Sequence, residues 1–354
     1  MPWKSWLFSA PLLVLLACGS GSPTSAEVAG GAPISAPAAT WTWVPIRGTT
    51  CGDGSVAGVG VNLQPGSQDL LVYMEGGGAC WDANTCFTLG TAIQIAVPYT
   101  EATFKSDLTM LEASGLFSRA DAGSPFAGAS FVYVPYCTGD VHAGSVVQSY
   151  DVGGQTRMVH HTGGLNAQVI VDTVHATLPS ISRIWLAGSS AGGYGVTLNQ
   201  HRYVAAWPDA SVEILQDSAP FVDVMGGNYP IWQQAWGIVF PSGCSGCDTS
   251  FPAVIDAITT ANPSSRIGLL TFTEDATIKV FFGYDTLGPA IDSLLTNQYD
   301  HPTTQAFVVD GVSHTMLGSY LTMTAADGTP LKTWIAQWAT GDPAWATVRP
   351  APGQ

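Results

Sequence analysis

A serine flanked by glycines lies between a predicted strand and a predicted helix. Residues 188–192 read Gly-Ser-Ser-Ala-Gly, which places Ser190 at the centre of a Gly-x-Ser-x-Gly motif. Arg183–Ala187 before it is typical of a buried strand, and Ala191–Ala206 after it is typical of a helix. The glycines are required because such a turn is too tight for Cβ atoms, and the turn exposes the serine at the sheet edge. A structural Gly/Ser turn is the alternative, but the context favours Ser190 as a nucleophile and the N–H of Ala191 as an oxyanion donor.

Three consecutive glycines follow another predicted strand. Gln68–Met74 is a predicted strand with a continuous apolar run at Leu70–Tyr73, and Glu75 and then Gly76–Gly78 come directly after it. Glycines let backbone N–H groups approach a ligand closely, so this loop is the expected second source of oxyanion donors. For Glu75, orientation of this loop is the alternative to a role in catalysis.

A nucleophilic serine needs a histidine base. His314 lies in the loop after the predicted strand Thr304–Val309 and is our prediction for the base. The other six histidines are less suitable, because they lie before the acidic residue of the expected order serine, acid, histidine, on predicted helices or at the start of a strand. They are His142, His160, His161, His175, His201 and His301.

Three aspartates could orient that base. Asp275 follows the predicted strand Arg266–Phe272, which is the position expected from the order serine, acid, histidine. Asp217 follows the strand immediately after the nucleophile helix, and Asp310 lies only four residues before His314, where it fits a turn. Strand order favours Asp275, with Asp217 and Asp310 as alternatives.

Strand and helix patterns alternate along most of the chain. This alternation predicts an α/β fold with a mostly parallel central sheet flanked by helices. In the stretch 221–263 the apolar residues follow neither helical nor strand spacing, and the stretch contains two tryptophans and two cysteines. It is predicted to be a cap inserted over the site. The other predicted elements are the strands Phe131–Tyr136 and Ser211–Leu215 and the helices Leu165–Leu178, Asp285–Asn297 and Pro330–Ala339.

The N-terminal residues predict export. Residues 1–18 contain one lysine and an apolar run that is too short to span a bilayer, and they end on a lipobox-like Leu-Leu-Ala-Cys. We expect either lipidation of Cys18 in a bacterial cell envelope or plain secretion. Residues 19–40 are rich in Gly, Ser, Pro and Ala and predict a flexible tether. A single domain over 41–341 and a tail over 342–354 complete the predicted organisation.

Charge and cysteine content constrain the partners. The net charge of −15 argues against nucleic acid and against anionic lipid, so a membrane would be contacted only through a lipid on Cys18. Apart from Cys18 there are six cysteines, an even number that suggests three disulfides in an oxidising compartment. Cys244 and Cys247 form a CxxC motif that fits a structural bridge better than a metal or redox site.

Several motifs together resemble the pectin acetylesterase/Notum family of carboxylesterases. They occur in the family's order between about Trp41 and Trp338. They are Cys51–Ser55, Tyr73–Trp81, Cys86, Tyr136–Gly144, His161–Asn166, Gly188–Gly193, Gln216–Ser218 and Gly311–His314. The resemblance implies an α/β-hydrolase-like fold that needs neither metal nor cofactor.

The same resemblance implies roles for individual residues. It assigns a triad of Ser190, Asp275 and His314, and oxyanion donors at Gly77, Gly78 and Ala191. It places Asp140 and His142 at the edge of the substrate pocket, although a structural turn is an equal alternative for that loop. It implies the disulfides Cys51–Cys137 and Cys80–Cys86, which leaves Cys244–Cys247 as the third pair.

The expected reaction is acyl transfer to water. The predicted substrate is an acylated polysaccharide such as pectin, with acetyl as the acyl group, or a small acyl ester. A lipase, a polyester depolymerase or a fatty-acyl-protein esterase would use the same triad. A surface binding protein without catalysis is the non-enzymatic alternative, but the intact Ser, Asp and His set speaks against it. The sequence departs from many relatives at two places, with Thr315 in place of a cysteine and Gly78 or Ala79 in place of a tryptophan. These departures leave the identity of the substrate open.

Overall fold

A nine-stranded sheet with helices on both faces organises the chain in a computed structural model that describes residues 26–241, 243–299 and 301–350. The strands are β1 Val28–Ala29, β2 Thr42–Arg47, β3 Gly58–Asn62, β4 Asp69–Met74, β5 Ser130–Val134, β6 Val146–Val152, β7 Gln155–His161, β8 Arg183–Ser189, β9 Ser211–Asp217, β10 Ile267–Phe272 and β11 Thr304–Val309. The helices are α1 Glu101–Ser114, α2 Gly163–Thr177, α3 Ala191–Ala206, α4 Asn228–Trp236, α5 Ala253–Ala261, α6 Ala276–Phe282, α7 Gly288–Gln298 and α8 Leu331–Thr340.

The strand order is β1-β2-β3-β5-β4-β8-β9-β10-β11, and β6 and β7 form a separate antiparallel pair. All pairings from β5 through β4, β8, β9 and β10 to β11 are parallel. Only β3 pairs antiparallel with its two neighbours. The carboxyl ends of six parallel strands therefore meet at one edge, where loops converge in folds of this type. This confirms the predicted mostly parallel sheet.

Burial on both faces explains the apolar strand sequences. In β4, Leu70, Val72 and Met74 belong to the apolar core on one face of the sheet. Leu71 and Tyr73 belong to the core on the other face, together with aromatic residues such as Trp185. A strand covered on both sides has no polar face, so it lacks the alternation of a half-exposed strand.

The strands of the parallel region match their predicted positions. β11 has the predicted bounds, and β4, β5, β8, β9 and β10 differ from the predicted bounds by no more than two residues at either end. The helix α3 also begins and ends where it was predicted. Periodicity did not indicate β2 and β3, the hairpin β6–β7 or the helices α1 and α4 to α6.

Two terminal predictions are wrong in part. Residues 26–40, predicted as part of a flexible tether, pack on the domain: β1 pairs with β2, and the N–H of buried Ile34 donates to Thr177 Oγ1 at 2.8 Å. Residues 342–350, predicted as part of a tail, lie along β11, where Val348 exchanges hydrogen bonds with Ala306 and Val308 and Trp345 is buried. Each segment is held by a few apolar side chains. The overall composition of the segment, on which the prediction was based, does not reveal these few residues. Cys18 lies outside the described residues.

The segment between β9 and β10 contains α4 and α5, within the range predicted as a cap. Its buried aromatic residues include Trp232, Trp236 and Phe251, which join the core on the α3 face of the sheet. None of the helices in the described ranges combines the length and the apolar character that a membrane crossing requires.

Candidate active site

The turn between β8 and α3 holds Ser190 in a conformation that is rare for residues with a side chain. Its φ of 55° and ψ of −123° lie in a region favoured by glycine. The neighbouring glycines permit the turn: a Cβ on Gly188 would lie 2.3 Å from the carbonyl oxygen of Gly192, and one on Gly192 would lie 1.9 Å from that of Met74. The structure therefore contains the sharp strand-to-helix turn that the motif predicts.

The glycine loop after β4 lies directly against this turn. A Cβ on Gly76 would approach the Cβ of Ser190 to 2.9 Å. Gly78 has a φ of +76°, and a Cβ there would lie 1.9 Å from the carbonyl oxygen of Thr91. The bridge between this loop and Thr91–Ile93 uses the carbonyl of Gly77 and the N–H of Ala79, and not the N–H of Gly78. The loop thus brings backbone amides beside Ser190 without a side chain between them.

His314 and Asp275 are in contact. Nδ1 of His314 lies 2.7 Å from Oδ2 and 3.0 Å from Oδ1 of Asp275. The same carboxylate caps α6 by accepting the N–H groups of Thr277 and Ile278, each at 3.0 Å, which holds it in one orientation. Nε2 of His314 is buried and has no hydrogen-bond partner among the described residues. One imidazole nitrogen is therefore oriented by a carboxylate, and the other is available for a proton.

The competing acids have other partners. Asp217 is fully buried and accepts hydrogen bonds from the N–H groups of Met316 and Leu317 and from the Ser189 hydroxyl. Asp310 is exposed and accepts a hydrogen bond from Thr273 Oγ1 at 2.7 Å, as a turn residue does. Of the three candidate acids, Asp275 alone forms a hydrogen bond with the imidazole of His314.

Asp140 and His142 do not line the space beside Ser190, and the structural alternative describes them. The Asp140 side chain is fully buried and accepts hydrogen bonds from the Thr138 hydroxyl and from the N–H groups of His142, Gly144 and Gly163. The ring of His142 is also buried, and its Nε2 lies 2.8 Å from the carbonyl oxygen of Glu75. The contacts favour the structural alternative for this pair, because internal groups occupy their polar atoms, whereas Val141 between them lines the cavity beside Ser190.

His142 instead links this buried turn to the glycine loop. Its Nε2 contacts the backbone of Glu75, the residue that precedes Gly76. Burial lowers the pKa of the His142 imidazole, which keeps the ring neutral. His161, on β7, is tied down in the same manner by the carbonyl of Thr138 and the hydroxyl of Tyr150.

Glu75 also orients the loop, which is one of the two alternatives predicted for it. Its Oε2 accepts the N–H of Tyr136 at 2.8 Å. Burial, together with the negative charge of Asp107, raises the pKa of the Glu75 carboxyl to about 8. The raised pKa keeps this carboxyl protonated above the ordinary range of glutamate.

An apolar cavity that opens to solvent adjoins Ser190. Its wall contains Gly78 and Ala191 on the reactive side, and no charged residue lines it. The remaining lining residues are Ala79, Val141, Tyr194, Tyr229, Trp232, Trp236, Ile238, Phe251, Thr277, Ile278, Phe281 and Phe282. Such a wall accommodates an apolar group attached to a carbonyl at Ser190.

Several of these lining residues were missed from the sequence. Thr277, Ile278, Phe281 and Phe282 belong to α6, which was not predicted. The signal was present, since Asp275 is a good N-cap residue and the apolar residues recur at helical spacing. A helix of seven residues is too short for that spacing to be conspicuous.

Three disulfides join Cys51 to Cys137, Cys80 to Cys86 and Cys244 to Cys247. This pairing is the one implied by the family resemblance. The second bond follows the glycine loop and spans only six residues, with a Cα–Cα distance of 4.9 Å. The sulfur atoms of Cys80 and Cys86 also lie near His161, but as a disulfide they offer no thiolate to a metal.

Known proteins resemble both the sequence and the fold. The family model for pectinacetylesterase matches residues 41–235. Palmitoleoyl-protein carboxylesterase notum2 of Xenopus laevis is 31% identical over 186 residues, which cover 49% of this chain and 35% of the relative. The NOTUM enzyme of Mus musculus is 30% identical, also over 186 residues, covering 49% of this chain and 34% of its own. The chain thus matches about a third of the length of these curated relatives.

The solved structure of the Wnt deacylase Notum from Drosophila has the same fold. It superposes with a TM-score of 0.62 and 19% sequence identity, covering 87% of this chain and 95% of that one. The likeness at this identity concerns the fold, which is α/β-hydrolase-like.

Proposed function

Because the chain belongs to the pectinacetylesterase family, we propose that it is a carboxylic ester hydrolase in which Ser190 is the nucleophile. The observation that carries the proposal is the arrangement at one sheet edge. There, a strained serine turn adjoins an apolar cavity, and a His314–Asp275 pair leaves Nε2 of the imidazole without a partner.

In the first half of the proposed reaction, Ser190 Oγ attacks the ester carbonyl carbon. Nε2 of His314 takes the serine proton and returns it to the departing alcohol, leaving an acyl group on Ser190. Asp275 holds the ring by Nδ1 and stabilises the imidazolium that forms. The N–H groups of Gly77, Gly78 and Ala191 are proposed to stabilise the negative charge on the carbonyl oxygen by donating hydrogen bonds to it.

The second half repeats this chemistry with water. His314 removes a proton from the water molecule, which attacks the acyl carbon, and then returns the proton to Ser190 Oγ. The products are a carboxylic acid and regenerated enzyme. The proposed reaction uses groups of the chain and water.

Two acyl groups are proposed as substrates. Acetyl on a polysaccharide such as pectin agrees with the family, and the glycan hydroxyl would be the leaving group. A longer apolar acyl group is the second candidate, and the cavity favours it because aromatic residues such as Trp232, Trp236 and Phe281 form its wall. For localisation, we propose that the protein acts outside the cytoplasm, a setting in which its three disulfides persist.

Hydrolysis of p-nitrophenyl esters from acetate to palmitate, together with acetate release from acetylated pectin, tests the proposal. Ser190→Ala should lower turnover by roughly 10⁴-fold or more and leave the residual rate that an oxyanion hole supports. A fluorophosphonate should label the protein at Ser190, with peptide mapping to separate Ser190 from Ser189. Absence of ester hydrolysis by the wild type, or labelling at Ser189, contradicts the proposal.

A variant that narrows the cavity distinguishes the two acyl groups. Ile238→Trp should fill part of the cavity and leaves the residues Ser190, Asp275 and His314 themselves unchanged. If long acyl chains enter the cavity, this variant should lose most of its activity on the long esters and keep its activity on acetate. An unchanged preference for chain length would place the acyl chain elsewhere.

A further inference from the structure

The end of β9 lies between the turn that carries Ser190 and the loop that follows His314. We propose that Asp217 and Ser218 clamp these two segments to each other, which makes Asp217 a positioning residue for the serine and the base. The inference rests on the proposed function, since it concerns the same reaction.

The contacts with the serine turn involve both the backbone and the side chain of Asp217. Its carbonyl oxygen accepts the N–H of Ser190 at 2.7 Å. Its Oδ2 accepts the hydroxyl of Ser189 at 2.7 Å, and Tyr73 on β4 donates its hydroxyl to Ser189 Oγ at 3.0 Å. The serine turn is therefore attached to β9 on both sides of the Ser189–Ser190 peptide bond.

The contacts with the base loop cover the three residues after His314. Ser218 Oγ accepts the N–H of Thr315 at 2.8 Å. The Asp217 carboxylate accepts the N–H of Met316 through Oδ1 at 2.7 Å and that of Leu317 through Oδ2 at 3.0 Å. Three successive backbone N–H groups are thus bound by two adjacent side chains, which leaves the start of this loop little freedom.

Backbone strain is concentrated at these contacts. Ser190, Ser218 and Thr315 have φ values of 55°, 53° and 67°, although none is glycine. Each such conformation is unfavourable for a residue with a side chain and persists only where the surrounding contacts over-determine it. Asp217 binds the N–H of Ser190, and Ser218, itself strained, binds the N–H of Thr315. Hydrogen bonds of these two residues therefore help to hold the strained conformations.

The buried side chain of Asp217 is surrounded by hydrogen-bond donors, which only a carboxylate can satisfy together. Asp217 has no exposed surface, and burial raises its pKa while the three hydrogen bonds that it accepts oppose the rise. All of its bound partners are donors. An asparagine would turn an NH₂ group toward at least one of them, which loses a hydrogen bond and leaves a donor unpaired in the interior.

Asp217→Asn tests this assignment, with Glu213→Gln as the matched control. Glu213 is on the same strand, is equally buried, and pairs with Arg266 at 3.0 Å away from the serine turn. We expect Asp217→Asn to lower kcat for p-nitrophenyl acetate about 100-fold with KM nearly unchanged, as loss of a hydrogen bond that orients the reacting groups does. The downfield NMR resonance of the proton on His314 Nδ1 should shift or broaden in this variant.

The control should lose stability in urea and keep both kcat and the downfield resonance. A kcat and a resonance like those of wild type in Asp217→Asn, with a stability loss like that of Glu213→Gln, would show a structural role only and overturn the inference. If Asp217→Asn does not fold, Ser218→Ala removes the bond to Thr315 alone and should lower kcat about tenfold; a rate within twofold of wild type would overturn it.

The same experiment separates this inference from the proposed function. The proposed function fails if the wild type does not hydrolyse the ester or if Ser190→Ala is as active as the wild type. The inference about Asp217 fails by itself if Ser190→Ala is inactive while Asp217→Asn is fully active.

Discussion

Asp275 and Asp217 occupy nearly equivalent local settings and have different partners. Each follows or ends a parallel strand, each is fully buried, and each accepts the N–H groups of two successive residues. The third partner differs: it is the imidazole of His314 for Asp275 and the hydroxyl of Ser189 for Asp217. Asp217 pairs with Leu270 inside the sheet, whereas Asp275 lies beyond the end of β10. The position of each aspartate relative to the sheet edge thus decides which carboxylate contacts His314.

The largest expected effect is that of Asp275→Asn. Loss of the carboxylate favours the wrong tautomer of His314, so kcat should fall about 10⁴-fold, as in other Ser-His-Asp systems. Steady-state turnover of a short p-nitrophenyl ester measures it. Asp217→Asn is the comparison, and its loss should be about 100-fold smaller. The assignment of the two acids is reversed if Asp217→Asn is the more damaging variant.

A third buried aspartate should affect stability and not turnover. Asp140 accepts three hydrogen bonds within its own turn and a fourth from the N–H of Gly163, so Asp140→Asn should lower the free energy of unfolding by about 2–4 kcal/mol. Urea unfolding measures this loss, and kcat per folded molecule should stay within several-fold of wild type. A large rise in KM at unchanged stability would instead return Asp140 to the substrate pocket.

The comparison extends to Glu75, a half-buried carboxyl whose partners do not keep it ionised. Its pKa is raised from 4.5 in the unfolded chain to about 8 in the folded protein, so the folded state binds more protons between these values. Its contribution to stability is full below pH 4.5 and is lost as the pH rises through about 8. Glu75→Gln should therefore flatten the decline in unfolding free energy over this window, measured by urea unfolding at several pH values. An identical slope in both proteins would refute the shift.

The smallest effect is expected at Asp310. Its carboxylate is exposed and bonded to Thr273, so Asp310→Asn should change stability by less than about 0.5 kcal/mol and turnover by less than about twofold. Thermal unfolding and ester hydrolysis measure the two quantities. A loss of turnover comparable to that of Asp275→Asn would mean that the acid had been assigned to the wrong strand.

Much of the parallel region was predictable because its signals are local. Buried strands such as β8 and β11 are short apolar runs, and α3 begins directly after the Gly-x-Ser-x-Gly motif. The hairpin β6–β7 and the seven-residue α6 were not predictable in this way. The hairpin is mostly exposed, and α6 is about two turns long, so neither carries a strong apolar pattern.

By itself, the sequence determined the serine turn, the glycine loop, the candidate base and a short set of candidate acids, because each is a pattern within a few consecutive residues. Only the tertiary structure decided that Asp275 contacts His314, that Asp217 binds backbone amides, and that Asp140 and His142 are internal. It also decided which residues of α4 and α6 enclose the cavity beside Ser190. These outcomes depend on strand register and on which side chains exclude water, and both arise from contacts between residues far apart in the chain.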